Sequence, residues 1–216
     1  MDEEKRDVTE PELQADEKEP KGGKRALKEI REWVVSLAVA LLVVFVLRSF
    51  VFTIIRVDGA SMQTTLLNNE RLFVTVFDTK LWGPDRGDIV ICNYPGRYTT
   101  HIFQLKTKTY FVKRVVAIAG DTVSRKDGIT SVTYGDTGET VALDAQFKGS
   151  YRGNDYTYTL ADDEYFVVGD NRGNSHDSRD WNDSDPSEDV GPITGDMIVG
   201  HVRTVIWPLS EIRSVD

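Results

Sequence analysis

The chain has one cysteine, three histidines and, after residue 55, no long apolar run. A single cysteine, Cys92, excludes an intramolecular disulfide, and there is no CxxC or Cys/His pairing of the kind that holds zinc. In DIVICN, Cys92 reads as a small hydrophobe on a strand. His101, His176 and His201 lie far apart with unlike flanks, so no metal site and no cofactor are expected. A basic face is missing as well. The net charge is −9, but nine acids against three bases in residues 1–20 account for −6 of it and leave −3 for the rest. Nucleic acid is therefore not an expected partner.

What the chain does have begins with that tail. Residues 1–23 are acidic, poor in apolar side chains and broken by Pro11, Pro20 and Gly22-Gly23, the composition of a disordered segment. From Trp33 to Leu47 every residue except Ser36 is apolar, and FVFTII extends the trend past Arg48-Ser49 to Ile55. Residues 24–55 thus read as a basic flank followed by a transmembrane helix, with the lipid bilayer as partner. A buried core helix and a cleavable secretory signal are the alternatives. The sole Ala-x-Ala here, Ala38-Val39-Ala40, lies inside the apolar run, where cleavage is not expected. Lys21, Lys24, Arg25, Lys28 and Arg31 precede the run, while Arg48 and Arg56 are the close bases after it. That asymmetry puts the amino terminus in the cytoplasm and the rest outside the cell membrane, on a single span.

Beyond the anchor the apolar period changes to two. RLFVTVF, DIVICN, YFVKRVVAIAG, EYFVVGD and MIVGHVRTVIWPL are short β-rich runs separated by Gly, Asp, Asn and Pro, and no helix-length 3.6 pattern follows. Residues 56–216 are expected to form an extracytoplasmic all-β domain, and about 124–159, rich in Gly, Asp, Thr and Tyr, an inserted hairpin or small subdomain.

Three stretches carry candidate chemistry. In VDGASMQTTL, Ser61 follows Gly59 and Ala60, small residues that permit close approach; it is either a turn residue or a nucleophile. In YFVKRVVAIAGD, Lys113 shares a strand face with Phe111 and Val115, and Arg114 the other with Val112 and Val116, so one of two adjacent cations points to the apolar side. A lysine buried there is driven toward the free amine, which takes a proton from a serine hydroxyl; a solvated edge charge is the plainer reading. In VVGDNRGNSHDSRDW, Asp170, Arg172, Asp177 and Arg179 permit carboxylate–guanidinium pairing within tight turns, and Ser175 and Ser178 could hydrogen-bond an amine.

Together these blocks resemble the bacterial type I signal peptidases, membrane-anchored serine proteases with a Ser-Lys dyad. The matching residues are Ser61-Met62, Lys113 to Asp121 and Gly169 to Arg179, in family order and after an anchor. The resemblance implies an all-β catalytic domain of coiled β-sheets with one N-terminal transmembrane helix, acting on secretory preproteins with signal peptides. It makes Ser61 the nucleophile and Lys113 the general base. Ser175 would orient the lysine, with Asp177 and Arg179 supporting the site and Asp170 and Arg172 holding the loop. The Ser61 N–H would be an oxyanion donor. Gly59 occupies the other oxyanion position, where some relatives carry a serine hydroxyl. Val57, Asp58, Met62, Phe111 and Val112 would meet the substrate, bound as an added strand. Thr64 departs from the proline common in the family. A LexA-like self-cleaving repressor shares the dyad but would be soluble, with a helical DNA-binding domain; a non-enzymatic membrane-anchored β module is the other alternative.

Overall fold

The structure, a computed structural model, describes residues 21–100, 106–144, 154–181 and 190–215. Most of the acidic tail, His101 and the centre of the expected insert fall outside these. The chain divides into two units, residues 1–45 and 46–216.

Helix α1 spans Lys21–Phe50. Its stretch Leu27–Leu47, 21 residues of mean hydropathy 2.3, is long and apolar enough to cross a membrane. Two boundaries differ from the sequence reading. The helix already includes Lys21, and it stops at Phe50, so it does not continue to Ile55. Phe52–Arg56 instead forms strand β1, paired from Phe52↔Thr75 to Arg56↔Arg71 with β2, Arg71–Thr75. Thr53, Ile54 and Ile55 are β-branched, and apolar character alone does not distinguish the end of a span from the start of a strand.

In the second unit β2 is followed by a short helix, α2, Phe77–Trp82, and by two long strands, β3, Ile89–Thr100, and β4, Lys106–Ala117. Four shorter strands come next: β5, Thr122–Lys126; β6, Ile129–Thr133; β7, Thr140–Ala142; and β8, Tyr156–Thr159. The chain ends with β9, Glu164–Val168, β10, Ile193–Thr194, β11, Ile198–Trp207, and β12, Arg213–Ser214. Among the described residues eight strands form one sheet in the order β1-β2-β11-β3-β4-β9-β10, with β12 on β11, and four form a second in the order β7-β6-β5-β8. Every pairing is antiparallel.

The two faces of the β3–β4 pair carry separate cores. Ile89 and Ile91 join Val57, Met62, Leu66, Leu72, Val74, Val202 and Val205 in one; Val90, Cys92, Tyr94 and Val115 join Val167, Ile193 and Ile198 in the other. A third cluster, with Val123, Val132, Leu160 and Phe166, welds the second sheet to the first. At about 25 cal/mol per Å² of apolar surface removed from water, each buried Leu or Ile contributes roughly 1.5–3 kcal/mol. Cys92 is fully buried, and burial pushes its thiol up to about 12.

Candidate active site

Ser61 stands in a loop, residues 57–70, that is closed at its base. The Val57 N–H donates to the Glu70 carbonyl at 2.8 Å, and the Asn69 N–H to the Val57 carbonyl at 3.0 Å. Both polar groups of the Val57 backbone are thus engaged within the protein, and its side chain is buried, so Val57 does not offer substrate the edge expected from sequence. Glu70, also buried, is gripped by Arg213 of β12 at 2.7 and 3.0 Å, and Arg213 donates to the Thr65 carbonyl at 2.8 Å. Charge-assisted bonds of this kind are worth about 1.5–3 kcal/mol each.

Within the loop Gly59 has φ +117°, a conformation that favours glycine, and its N–H donates to Asn68 Oδ1 at 3.2 Å. Gly59 therefore supplies no hydroxyl, and its one donor is turned to the loop itself. Asp58 is exposed. Thr64 has φ +88°. Proline, fixed near −65°, does not fit that conformation. A β-branched residue is strained there. Thr64→Gly should therefore raise the melting temperature in detergent by a few degrees, about 1 kcal/mol, whereas Thr64→Pro should lower it; an unchanged melting temperature in Thr64→Gly would mean that the loop relaxes freely.

Lys113 lies on β4 in register with Val90, and Phe111 with Cys92, so all four share the face that carries the second core. The lysine is 2% exposed. Its Nζ lies 2.8 Å from Ser61 Oγ and 5.9 Å from the Phe111 ring centroid, and Tyr94 stacks on that ring at 4.5 Å. Burial is the main influence on the amine and drives it below its ordinary value. Asp177 opposes that shift most strongly, Cys92 and Asp180 also oppose it, and Arg179 reinforces it.

The loop 169–181 closes the site from a third side. The Asn171 N–H donates to the Ser61 carbonyl at 2.9 Å, and Asn171 Nδ2 to the Ala60 carbonyl at 3.0 Å. Asp177, fully buried, accepts from Arg179 Nε and Nη2 at 2.8 Å each and from the Gly169 N–H at 2.9 Å. Desolvation works to raise the Asp177 carboxyl, but the Arg179 guanidinium and these donors together hold it below its ordinary value. Asp170 pairs with Arg114 at 2.9 and 2.8 Å and accepts from Thr65 Oγ1 at 2.5 Å, joining all three segments.

Several sequence expectations change in detail. Arg172 donates to the Leu143 carbonyl at 2.8 Å, and Asp170 takes its bidentate hydrogen bonds from Arg114. Ser175 makes no hydrogen bond to Lys113; its buried hydroxyl sits beside Gly169, with Asp177 as its polar neighbour. Ser178 is spent on β9, where its Oγ accepts from the Val167 N–H at 3.1 Å. Met62 is 2% exposed and belongs to the core, its Sδ 3.5 Å from the Asp170 N–H. Phe111 and Val112 are half-buried, and β4 meets β9 only from Arg114↔Val168 onward. Among the described strands none pairs with that edge of Phe111–Lys113. His176 faces Asp180 at 3.1 Å and His201 faces Asp88 at 3.5 Å. Sequence reasoning passed over Arg114, Asn171 and Gly169. Arg114 was visible as the second cation of Lys-Arg, and the other two lay inside a block already singled out.

A serine hydroxyl held against a desolvated amine on an all-β scaffold is an arrangement suited to a serine endopeptidase. Residues 30–207 match the family of signal peptidases described as "Signal peptidase, peptidase S26", and the chain belongs to it. It is 34% identical over 197 residues to signal peptidase I P of Bacillus subtilis subsp. natto, covering 88% of this chain and 96% of that protein. It is 30% identical over 195 residues to signal peptidase I S of Bacillus subtilis (strain 168), covering 88% and 95%. A crystal structure of a signal peptidase I from Enterococcus faecalis V583 is similar over 55% of this chain and 95% of that one, with 21% identity and a TM-score of 0.35.

Proposed function

We propose that this protein is a membrane-anchored endopeptidase that removes signal peptides after small residues of the Ala-x-Ala type, with Ser61 as nucleophile and Lys113 as general base. The observation that carries this reading is the 2.8 Å approach of Lys113 Nζ to Ser61 Oγ inside a site where the lysine is 2% exposed. In its neutral form the amine accepts the Ser61 proton as Oγ attacks the scissile carbonyl, and the resulting ammonium returns that proton to the leaving amine. A water then hydrolyses the acyl-enzyme by the same route. The Ser61 N–H is the proposed donor to the oxyanion, without a hydroxyl from Gly59. Asp177 and Arg179 set the charge around the amine, and Asp170 and Arg114 fix the loops.

Substrate is read as an extended strand along the open edge of Phe111 and Val112. Phe111, its ring held against Tyr94, would leave room beside it only for small side chains. The apolar helix is the anchor, with the preceding basic residues cytoplasmic and the β domain outside.

The direct test is cleavage of a preprotein with an Ala-x-Ala site in detergent, with product masses read. A cut after the second alanine supports the reading; an intact substrate overturns it. The pH profile is a second test. Because the Lys113 amine lies below its ordinary value of 10.5, kcat/KM should rise as pH increases through its folded pKa, with the acid limb centred below 10.5. A profile flat from acid to alkaline pH, with folded protein throughout, would remove Lys113 from the base role.

A further inference from the structure

The second sheet holds the loop behind the lysine by buried polar contacts. Arg125 on β5 is 2% exposed, in register with Thr130 and Tyr156, and its guanidinium lies 5.4 Å from the Tyr156 ring centroid. Its Nη2 donates to the Arg179 carbonyl. Asp144, two residues past β7 and 1% exposed, accepts the Thr130 N–H on Oδ1 at 2.7 Å and turns Oδ2 toward Arg179 Nη1 at 3.7 Å. Arg179 in turn donates to the Arg172 carbonyl at 3.0 Å, and Arg172 to the Leu143 carbonyl at 2.8 Å. Trp181, at the end of the loop, packs between Tyr156 and Tyr158 at 4.9 and 5.1 Å.

Burying this many charged groups in one place is costly unless each is held in fixed geometry. The apolar cluster around Val123, Val132 and Phe166 already joins the two sheets without that cost. The polar links, moreover, converge on Arg179, whose other side grips the Asp177 carboxylate.

We propose that Asp144 and Arg125, from the second sheet, are positioning residues: they fix the Arg179 backbone and guanidinium, and through them the Asp177 carboxylate beside Lys113. This rests on the Ser61–Lys113 reading above. Asp144 also supplies a second negative charge to Arg179, so that less of the guanidinium's field reaches the amine. The charged and titratable groups around that amine are Asp177, Asp180, Cys92 and Arg179.

The test uses the full chain in detergent. Asp144→Asn keeps an acceptor for the Thr130 N–H and replaces the carboxylate oxygen facing Arg179 with a neutral amide NH2. Its kcat should fall about tenfold with KM nearly unchanged, since the site is misplaced and substrate contacts are not. The acid limb of its pH profile should move to lower pH, because an uncompensated Arg179 disfavours the ammonium form. Arg125→Met should lower kcat in the same way. Val132→Ala, buried in the same sheet but making none of these polar contacts, is the control: it should lower the melting temperature and leave kcat and the pH profile at wild-type values.

Either positioning variant folded with wild-type kcat and pH profile would overturn the proposal. So would the same loss of kcat in Val132→Ala, or wholesale loss of folding in both positioning variants, which would assign them to stability alone. A wild-type chain that cleaves nothing, or an active Ser61→Ala, sinks the Ser61–Lys113 reading instead.

Discussion

Ser61→Ala should retain less than about one part in a thousand of the wild-type kcat on an Ala-x-Ala preprotein, and Lys113→Met should do the same, with KM in both close to wild type. The two side chains act in one proton transfer over 2.8 Å, so either loss removes the covalent route. Methionine is chosen for Lys113 because it fills a site that is 2% exposed; alanine would leave a cavity and mix a packing defect into the result. Lys113→Met also removes a buried ionisable group and should not lower the melting temperature at neutral pH. The double variant should be no worse than either single one, as expected for residues that work as a unit. Each folded variant is assayed by single-turnover cleavage with product masses. Substantial cleavage by one of them would take that residue out of the reaction, and a double variant markedly worse than both singles would show that the two act separately.

Gly169→Ala should be nearly as damaging, at a position that makes no hydrogen bond to either dyad residue. A Cβ built there lies 2.2 Å from Ser175 Oγ and 2.5 Å from the Ser61 carbonyl oxygen. One of these neighbours is backbone, so rotamer changes alone cannot relieve the crowding. The nucleophile loop and the 169–181 loop must separate, which stretches the Asn171-to-Ser61 hydrogen bond and shifts Oγ from the lysine. A displacement of about 1 Å costs on the order of a hundredfold in rate. The expected result is a kcat lowered about a hundredfold, together with a reduced melting temperature, read from steady-state kinetics and thermal unfolding. Wild-type kinetics in Gly169→Ala would mean that the loops accommodate a methyl group, and the close packing inferred between them would be wrong.

Much of the architecture was legible because its signals are local. The apolar run, the change to period two and the block order depend only on nearest neighbours in sequence. Lys113 was separable from Arg114 by strand alternation, and Ser61, Lys113 and the 169–181 loop do lie in contact with one another. The end of the helix was not legible, since Val51 to Ile55 is apolar in either conformation and only pairing with β2 decides between them. The partner of Asp170 was also hidden. Arg172 is nearer in sequence, but Arg114 is brought alongside by the β4–β9 register. Val57 looked available to substrate, but its backbone bonds are made to Asn69 and Glu70, a closure that no residue pattern announces. Asp144 and Arg125 carry no motif at all; their significance lies in which sheet packs on which loop.

The grip of Arg213 on Glu70 spans 143 residues, and β11 lies between β2 and β3. The nucleophile loop is therefore among the earliest parts of the β domain to be synthesised and among the last to be secured. Until the segment from Ile198 to Arg213 has been made, β2 lacks its inner neighbour and the loop lacks its clamp. Pairings this distant in sequence also form slowly. Ser61 thus emerges from the ribosome long before the residues that clamp its loop exist, and the pairing of β2 with β11 has to wait for them.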